Sequence, residues 1–264
     1  MNSIAIPTAS WSALAVAVTV AIAGVAYFAA IYLVAGGLTL GVRGWLLRSG
    51  RGRLLDPRPV PAGQVAREWR QSALSVLIFG VGIVIPWGFV VQGWATVHPS
   101  NPPLRVVLEL LALLVWNDIH FYTVHRTLHH PKLLHAVHAA HHQSVVTTPW
   151  STYAFHPVEA LLLGGVLLPP MLVWEFTPAA LLLLPVLSLT YNVVGHRNCR
   201  ALPRRWRWLS NAQDHHLHHA CHRGNYGFLF TFMDRWLGTQ LPHDAAQAVI
   251  AAGLAREARR GGAT

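Results

Sequence analysis

The chain has 264 residues, 53% of them hydrophobic and only 11% charged, with a mean hydropathy of +0.38. A soluble domain carries about 25% charged residues, so this composition is that of a membrane protein and argues against a soluble enzyme. The formal net charge of +10 would suggest nucleic acid in a soluble chain, but here the basic residues have to be placed against a membrane first.

Five apolar runs follow in chain order. No charge precedes Arg43, and residues 11–35 are continuously apolar, longer than the about 20 residues that a span needs. No basic stretch precedes that run, so a cleaved signal peptide is not expected. The second run covers 73–94 and is interrupted only by glycines, Pro86 and Gln92. The third covers 104–119 and leads into a histidine cluster. The fourth and fifth, 158–174 and 179–194, are separated by the short turn EFTP. The expected fold is all-α: a multi-pass bundle of about five spans with a helical cap that carries the histidines. Three parts are expected: a first span with a basic linker over 1–72, a catalytic membrane domain over 73–244, and a tail over 245–264.

Every lysine and arginine except Arg105 falls in 36–72, 123–157 or 196–264. Five spans put those three segments on one face, the cytosolic one by the positive-inside rule. The N-terminus then lies opposite. The basic excess reads as positive-inside loops that attract anionic lipid headgroups, and nucleic acid is not an expected partner. The Ala- and Arg-rich composition points to a bacterial inner membrane. Trp11, Trp87, Trp94 and Trp174 read as interface anchors, and Trp206 and Trp208 as part of a basic surface segment. Glu109, in the third run, reads as snorkelling to the nearer interface.

Histidine is the outlier, with seventeen in the chain. His125 and His129 are spaced i, i+4. His138, His141 and His142 are spaced i, i+3, i+4, and His215, His218 and His219 repeat that pattern. On a helix these offsets share one face, and i+3 and i+4 diverge enough to serve two neighbouring ions. Imidazole suits zinc, copper, iron and nickel. Eight ligands are too many for one tetrahedral zinc and suit two metals of higher coordination number. His98, His130, His135 and His243 read as ordinary surface histidines. Cys199 and Cys221 form no CxxC pair and no disulfide framework. They read as thiols, and alone they cannot hold an iron–sulfur cluster.

The segments DIHFYTVHRTLHH, HAVHAAHH and DHHLHHACHRGNYG resemble the three histidine boxes of the fatty acid hydroxylase superfamily, also called the sterol desaturase family. Asp118 and Tyr122 before HR, the HPVE of 156–159, the NYG of 225–227 and the MDRWLGT of 233–239 are similar as well. The resemblance covers 116–239. It implies an integral-membrane, O2-dependent enzyme with two nonhaem irons that hydroxylates or desaturates a lipid, and relatives of this kind also cleave glycerol ethers or act on carotenoids. It adds His196 to the ligands, from an H-x3-H pair whose first position here is Asn192. Asp118, Glu159 and Asp214 are then the expected carboxylate partners of ligating rings, with His156 a ligand or such a partner. His120, His216 and His222 stay open as ligands, and Asn225–Gly227 reads as a turn. An external electron donor of ferredoxin or cytochrome b5 type is implied, because the chain contains no evident redox domain. Gly164 and Gly165, beside Pro169 and Pro170, are expected either to leave room for the lipid or to let helices pack closely.

A zinc-holding membrane carrier or hydrolase is the competing class. A carrier would set its histidines along a path within spans, and a zinc protease would show HExxH, which is absent, as are G-x-S-x-G and a Walker motif.

Overall fold

The computed structural model describes residues 12–201 and 208–242, with positions 248, 251, 252 and 255. Trp11, Trp206, His243 and most of the tail from 245 lie outside the described residues. The structure is helical, and among the described residues its one sheet is a two-residue antiparallel pair, β1 (Arg53–Leu54) with β2 (Cys199–Arg200), which sets Leu54 opposite Cys199.

Helix α1 (Ala13–Arg48) starts at Ser12, whose hydroxyl accepts the Ala15 N–H at 3.2 Å. It is apolar all round, the pattern of a helix that meets lipid on its outer faces, and Leu14, Ile22 and Leu38 are 66–73% exposed. Helices α2 (Gln64–Gly82) and α3 (Val84–Val91) continue one another with a break at Ile83. Pro86 explains the break, because it has no N–H to give the Gly82 carbonyl one turn earlier. α1 crosses α2 where Gly24 meets Gly80, and a Cβ on either would run into the other helix's backbone. Close approach through small residues is how helices pack in lipid.

Helix α4 (Pro103–Leu128) carries the third apolar run and then the first histidine box. The second box follows on a short turn α5 (Pro131–Leu133), a π turn over Leu134–His138 and α6 (Ala139–His142). The fourth run is shorter and more broken than a single span. It comprises α7 (Pro157–Gly164), a 3-10 turn over Gly165–Leu167 and α8 (Leu168–Met171). Pro169 and Pro170 remove two ladder donors there, and the freed Val166 carbonyl accepts the Trp116 Nε1–H at 2.7 Å. Helix α9 (Pro178–Gly195) contains Pro185, and the Tyr27 hydroxyl donates to the neighbouring Leu182 carbonyl. The third box lies on α10 (Ala212–Cys221), and α11 (Phe232–Trp236) closes the described cap.

Among the described residues, three helical stretches are long and apolar enough to cross a membrane: Ala13–Arg48, Gln64–Val91 and Pro178–Gly195. The other two runs are the partly polar α4 and the broken α7–α8. Glu109 does not snorkel. It is 5% exposed and accepts from Arg105 Nε (2.8 Å), Trp174 Nε1 (3.2 Å) and Thr177 N and Oγ1 (2.8 and 2.6 Å), tying α4 to the turn before α9.

The N-terminal helices hold the loop that follows the second box. Tyr32 of α1 and Ser72 of α2 donate to the Trp150 carbonyl at 2.9 and 3.1 Å, and Tyr32 stacks on Tyr153 at 5.0 Å. Glu68 of α2 is fully buried and accepts from Gln64 Nε2 (2.7 Å), Ser144 Oγ (2.7 Å) and Thr148 Oγ1 (2.6 Å).

Candidate metal centre

The nine histidines singled out above converge in two groups. His125, His129, His138, His142 and His218 form one, and His141, His196, His215 and His219 the other. Within each, one nitrogen per ring lies within 4.8 Å of all the others. Helical phase explains the division. His138 and His142, one turn apart, face the first group while His141 faces the second. On α10 the roles reverse: His215 and His219 face the second group, and His218 the first. Both histidines of the first box join the first group, and His196, capping the C-terminus of α9, joins the second. The π turn over Leu134–His138 sits where the second box needs its own helical phase, a usual place for such turns.

Backbone carbonyls fix the tautomers. The Nδ1–H groups of His125, His129, His196 and His218 donate to Tyr226 O (2.9 Å), His222 O (3.1 Å), Asn192 O (2.9 Å) and Gly224 O (2.7 Å). A carbonyl can only accept, so each proton sits on Nδ1 and each Nε2 offers a lone pair. His138 Nδ1 lies 2.8 Å from the buried Glu159 carboxylate. The Nε2 atoms then meet one another: His142 with His138 (3.1 Å), His129 (3.2 Å) and His218 (3.1 Å), and His215 with His196 (2.9 Å) and His219 (3.1 Å). Lone pairs brought this close repel unless a cation lies among them, so the donor set fits metal ions.

Burial holds these rings neutral. It pushes His125 and His196 down to about 4 and His129 to about 3, the last helped by the neighbouring His125. The other six lie well below the ordinary histidine value through burial and mutual repulsion. Neutral imidazole is the form that binds metal.

Of the expected carboxylate partners, Glu159 lies against a ring of the first group, that of His138. Asp118 accepts the Leu229 and Phe230 N–H groups at 2.7 and 2.9 Å, bracing the loop after the third box. Asp214 is buried in the first turn of α10, and its backbone carbonyl accepts from Asn225 Nδ2 at 3.0 Å. His156 caps α7 through Nδ1, which accepts the Val158 N–H. His120 lies outside both groups and donates from Nε2 to Leu162 O at 3.0 Å. His216 is buried 3.6 Å from the Asp56 carboxylate, which Arg58 binds. His222 is exposed, with its ring 4.7 Å from that of His142.

Sequence reasoning missed the bracing beneath the third box. The Asp234 carboxylate accepts the Tyr226 and Gly227 N–H groups at 2.8 and 2.7 Å, and Thr239 Oγ1 donates to it at 2.7 Å. That ties the MDRWLGT element to the carbonyl that orients His125. Asn225, in the left-handed region with φ of 49°, also anchors Leu241 N at 2.8 Å, so NYG is a structural latch as well as a turn.

A cavity of about 380 Å³ runs among α1, α2, α3, α4, the α7–α8 segment and α9. Gly164 and Gly165 line it, but a Cβ on Gly164 would press on the Phe79 ring at 3.1 Å, so that glycine also serves close packing. At its inner end it shares Asn192 and Phe228 with a second cavity of about 150 Å³ that reaches His215.

The family model for fatty acid hydroxylases matches residues 110–239, the stretch that holds all nine histidines. The chain belongs to the fatty acid hydroxylase superfamily. Similar members include a Delta(7)-sterol 5(6)-desaturase of Aspergillus fumigatus, 29% identical over 76% of this chain and 72% of its own. The lathosterol oxidase of Rattus norvegicus is 26% identical over 69% of this chain and 63% of its own. A Delta(7)-sterol 5(6)-desaturase of Eremothecium gossypii is 31% identical over 67% and 51%. The chain thus spans between about half and three quarters of the length of these superfamily members. No solved structure matches it.

Proposed function

We propose that this protein is an O2-dependent membrane oxidoreductase that desaturates a sterol-type lipid at a pair of nonhaem irons. The observation that carries the reading is the convergence of nine neutral imidazoles in two adjacent groups beside an apolar cavity. The printed names of the similar superfamily members favour desaturation over hydroxylation, which begins with the same hydrogen abstraction.

His125, His129, His138, His142 and His218 would hold one iron, and His141, His196, His215 and His219 the other. When bound, the irons supply, with O2, the oxidising power to break an unactivated C–H bond. The protein's part is positioning and exclusion. Carbonyls of Tyr226, His222, Asn192 and Gly224 keep the Nε2 lone pairs pointed inward, and Glu159 does the same for His138. The apolar cavity keeps water from the lipid and leads its reacting end toward His215. In balance, a CH2–CH2 unit, O2, two electrons and two protons give CH=CH and two waters. An external one-electron donor of ferredoxin or cytochrome b5 type supplies the electrons. The arginine distribution supports a cytosolic face for the histidine cap.

The test is lipid profiling of cells with and without the protein, supplied with a Δ7-sterol. A product two mass units lighter is expected, and one 16 units heavier would mean hydroxylation. Unchanged lipids with iron-loaded protein and a working donor would refute the reading.

A further inference from the structure

The inner end of the large cavity is polar, whereas most of its remaining wall is hydrophobic. Asn117 and His120 lie on α4, three residues apart and therefore on one face. Ser188 and Asn192 lie on α9, four apart and likewise on one face. All four line the cavity, and α4 packs against α9.

Ser188 and Asn192 are only 7% and 8% exposed, yet among the described residues nothing hydrogen-bonds to the Ser188 hydroxyl or to the Asn192 side-chain amide. The Asn117 amide also has no partner there. His120 donates from Nε2 to Leu162 O, which leaves its Nδ1 as a bare acceptor. Ser188 and Asn192 are buried and Asn117 and His120 half-buried. Buried polar groups without partners are costly and rare, so Ser188 and Asn192, with the Asn117 amide and the open Nδ1 of His120 beside them on the same cavity wall, call for a polar occupant. A hydroxyl suits them, since it can donate to His120 Nδ1 and accept from an asparagine N–H. Position sharpens the point. Asn192 also lines the smaller cavity with His215, and its carbonyl holds His196, so the polar end abuts the four-histidine group.

We propose that Asn117, His120, Ser188 and Asn192 bind the hydroxyl of a lipid alcohol and so hold the carbons next to that hydroxyl against the His141–His196–His215–His219 group. The substrate class is then a lipid whose single hydroxyl lies within a few carbons of the reacting position. A chain attacked far from its polar group does not fit. This rests on the lipid oxidoreductase reading, and it adds which end of the lipid enters first and what reads it.

The experiment measures binding to the detergent-solubilised, metal-loaded full chain. The probes are a Δ7-sterol and the same hydrocarbon lacking its hydroxyl. The wild type is expected to bind the sterol about tenfold or more tightly over the hydrocarbon, the size of one or two buried hydrogen bonds. Asn117→Ala and Ser188→Ala should each cut that preference severalfold while leaving hydrocarbon affinity and metal content unchanged. Equal affinity of the wild type for both probes would overturn the proposal and leave the lipid oxidoreductase reading standing. Variants that lose both probes in parallel would overturn it too, because the side chains would then be structural. Failure of the wild type to bind either probe would overturn both the proposal and the sterol reading.

Discussion

Glu68 offers a sharp test of how the N-terminal helices support the centre, because it lies outside the stretch that the family model matches. Its carboxylate is fully buried and takes three hydrogen bonds, from Gln64, Ser144 and Thr148. Two of these come from the loop that begins just after His142. Glu68→Ala removes all three acceptor contacts, at about 1 kcal/mol each and about 3 kcal/mol together. Gln64 keeps its second bond, to Val146 O at 2.8 Å, so its share is the smallest. At about 2–4 °C per kcal/mol for a chain of this size, the melting temperature should fall by roughly 6–12 °C. Glu68→Gln keeps an acceptor, and the hydroxyls can turn to meet the new N–H, so it should cost only about 1 kcal/mol. The assay is melting followed by tryptophan fluorescence in detergent, with metal content measured on the same samples. Glu68→Ala should also weaken metal retention by loosening the second box. An alanine variant that melts within a degree of the wild type, or no lower than the glutamine variant, would refute the reasoning.

His218→Ala and His141→Ala each remove a ring from a different group, so either should abolish turnover and lower metal content toward one ion per chain; full activity in either would refute the ligand assignment. Metal-free protein should lose stability as pH falls. His125 and His196 titrate near 4 folded, against 6.5 as the ordinary value, so the unfolded chain binds more protons between those limits. Each ring then subtracts up to about 1.4 kcal/mol per pH unit below about 6.5 and nothing above it, and chemical denaturation that is flat from pH 7 to 5 would contradict this. Gly36→Val should destabilise by at least about 1–3 kcal/mol, since a Cβ at Gly36 overlaps the Trp150 ring; a melting point equal to wild type would show that the α1 contact is loose. In a Cys221→Ser background, cysteines at the exposed positions Ser100 and Lys132 should label from opposite sides of the membrane, and labelling from one side would overturn the proposed topology.

Which side chains converge was legible because imidazoles at i, i+3 and i+4 must share a helix face. The same offsets contain the division into two groups, since i+3 and i+4 sit on either side of the face centre. The acceptors behind the rings were not legible. His222, Gly224, Tyr226 and Asn192 act through backbone carbonyls, which carry no residue signature. Glu68 was equally hidden, because a carboxylate that braces a loop from a helix far away in the chain leaves no local pattern. Asp234 lies in the MDRWLGT element, but nothing in that motif says which N–H groups its carboxylate takes. The fourth apolar run shows the limit of hydropathy. Gly164, Gly165, Pro169 and Pro170 are apolar by composition, but the helix is broken there because two prolines remove ladder donors. Glu109 misled for a related reason: its partners at Trp174 and Thr177 lie about 65 residues away and close around it only when α4 packs beside α9.

The central claim, a pair of irons held by the two histidine groups, is tested most directly by Mössbauer spectroscopy of protein reconstituted anaerobically with 57Fe and then exposed to O2. The account predicts two irons per chain with the spectrum of a coupled diferric pair, and loss of that coupling in His141→Ala and His218→Ala. A single uncoupled iron, or full activity from protein that holds only zinc, would contradict it.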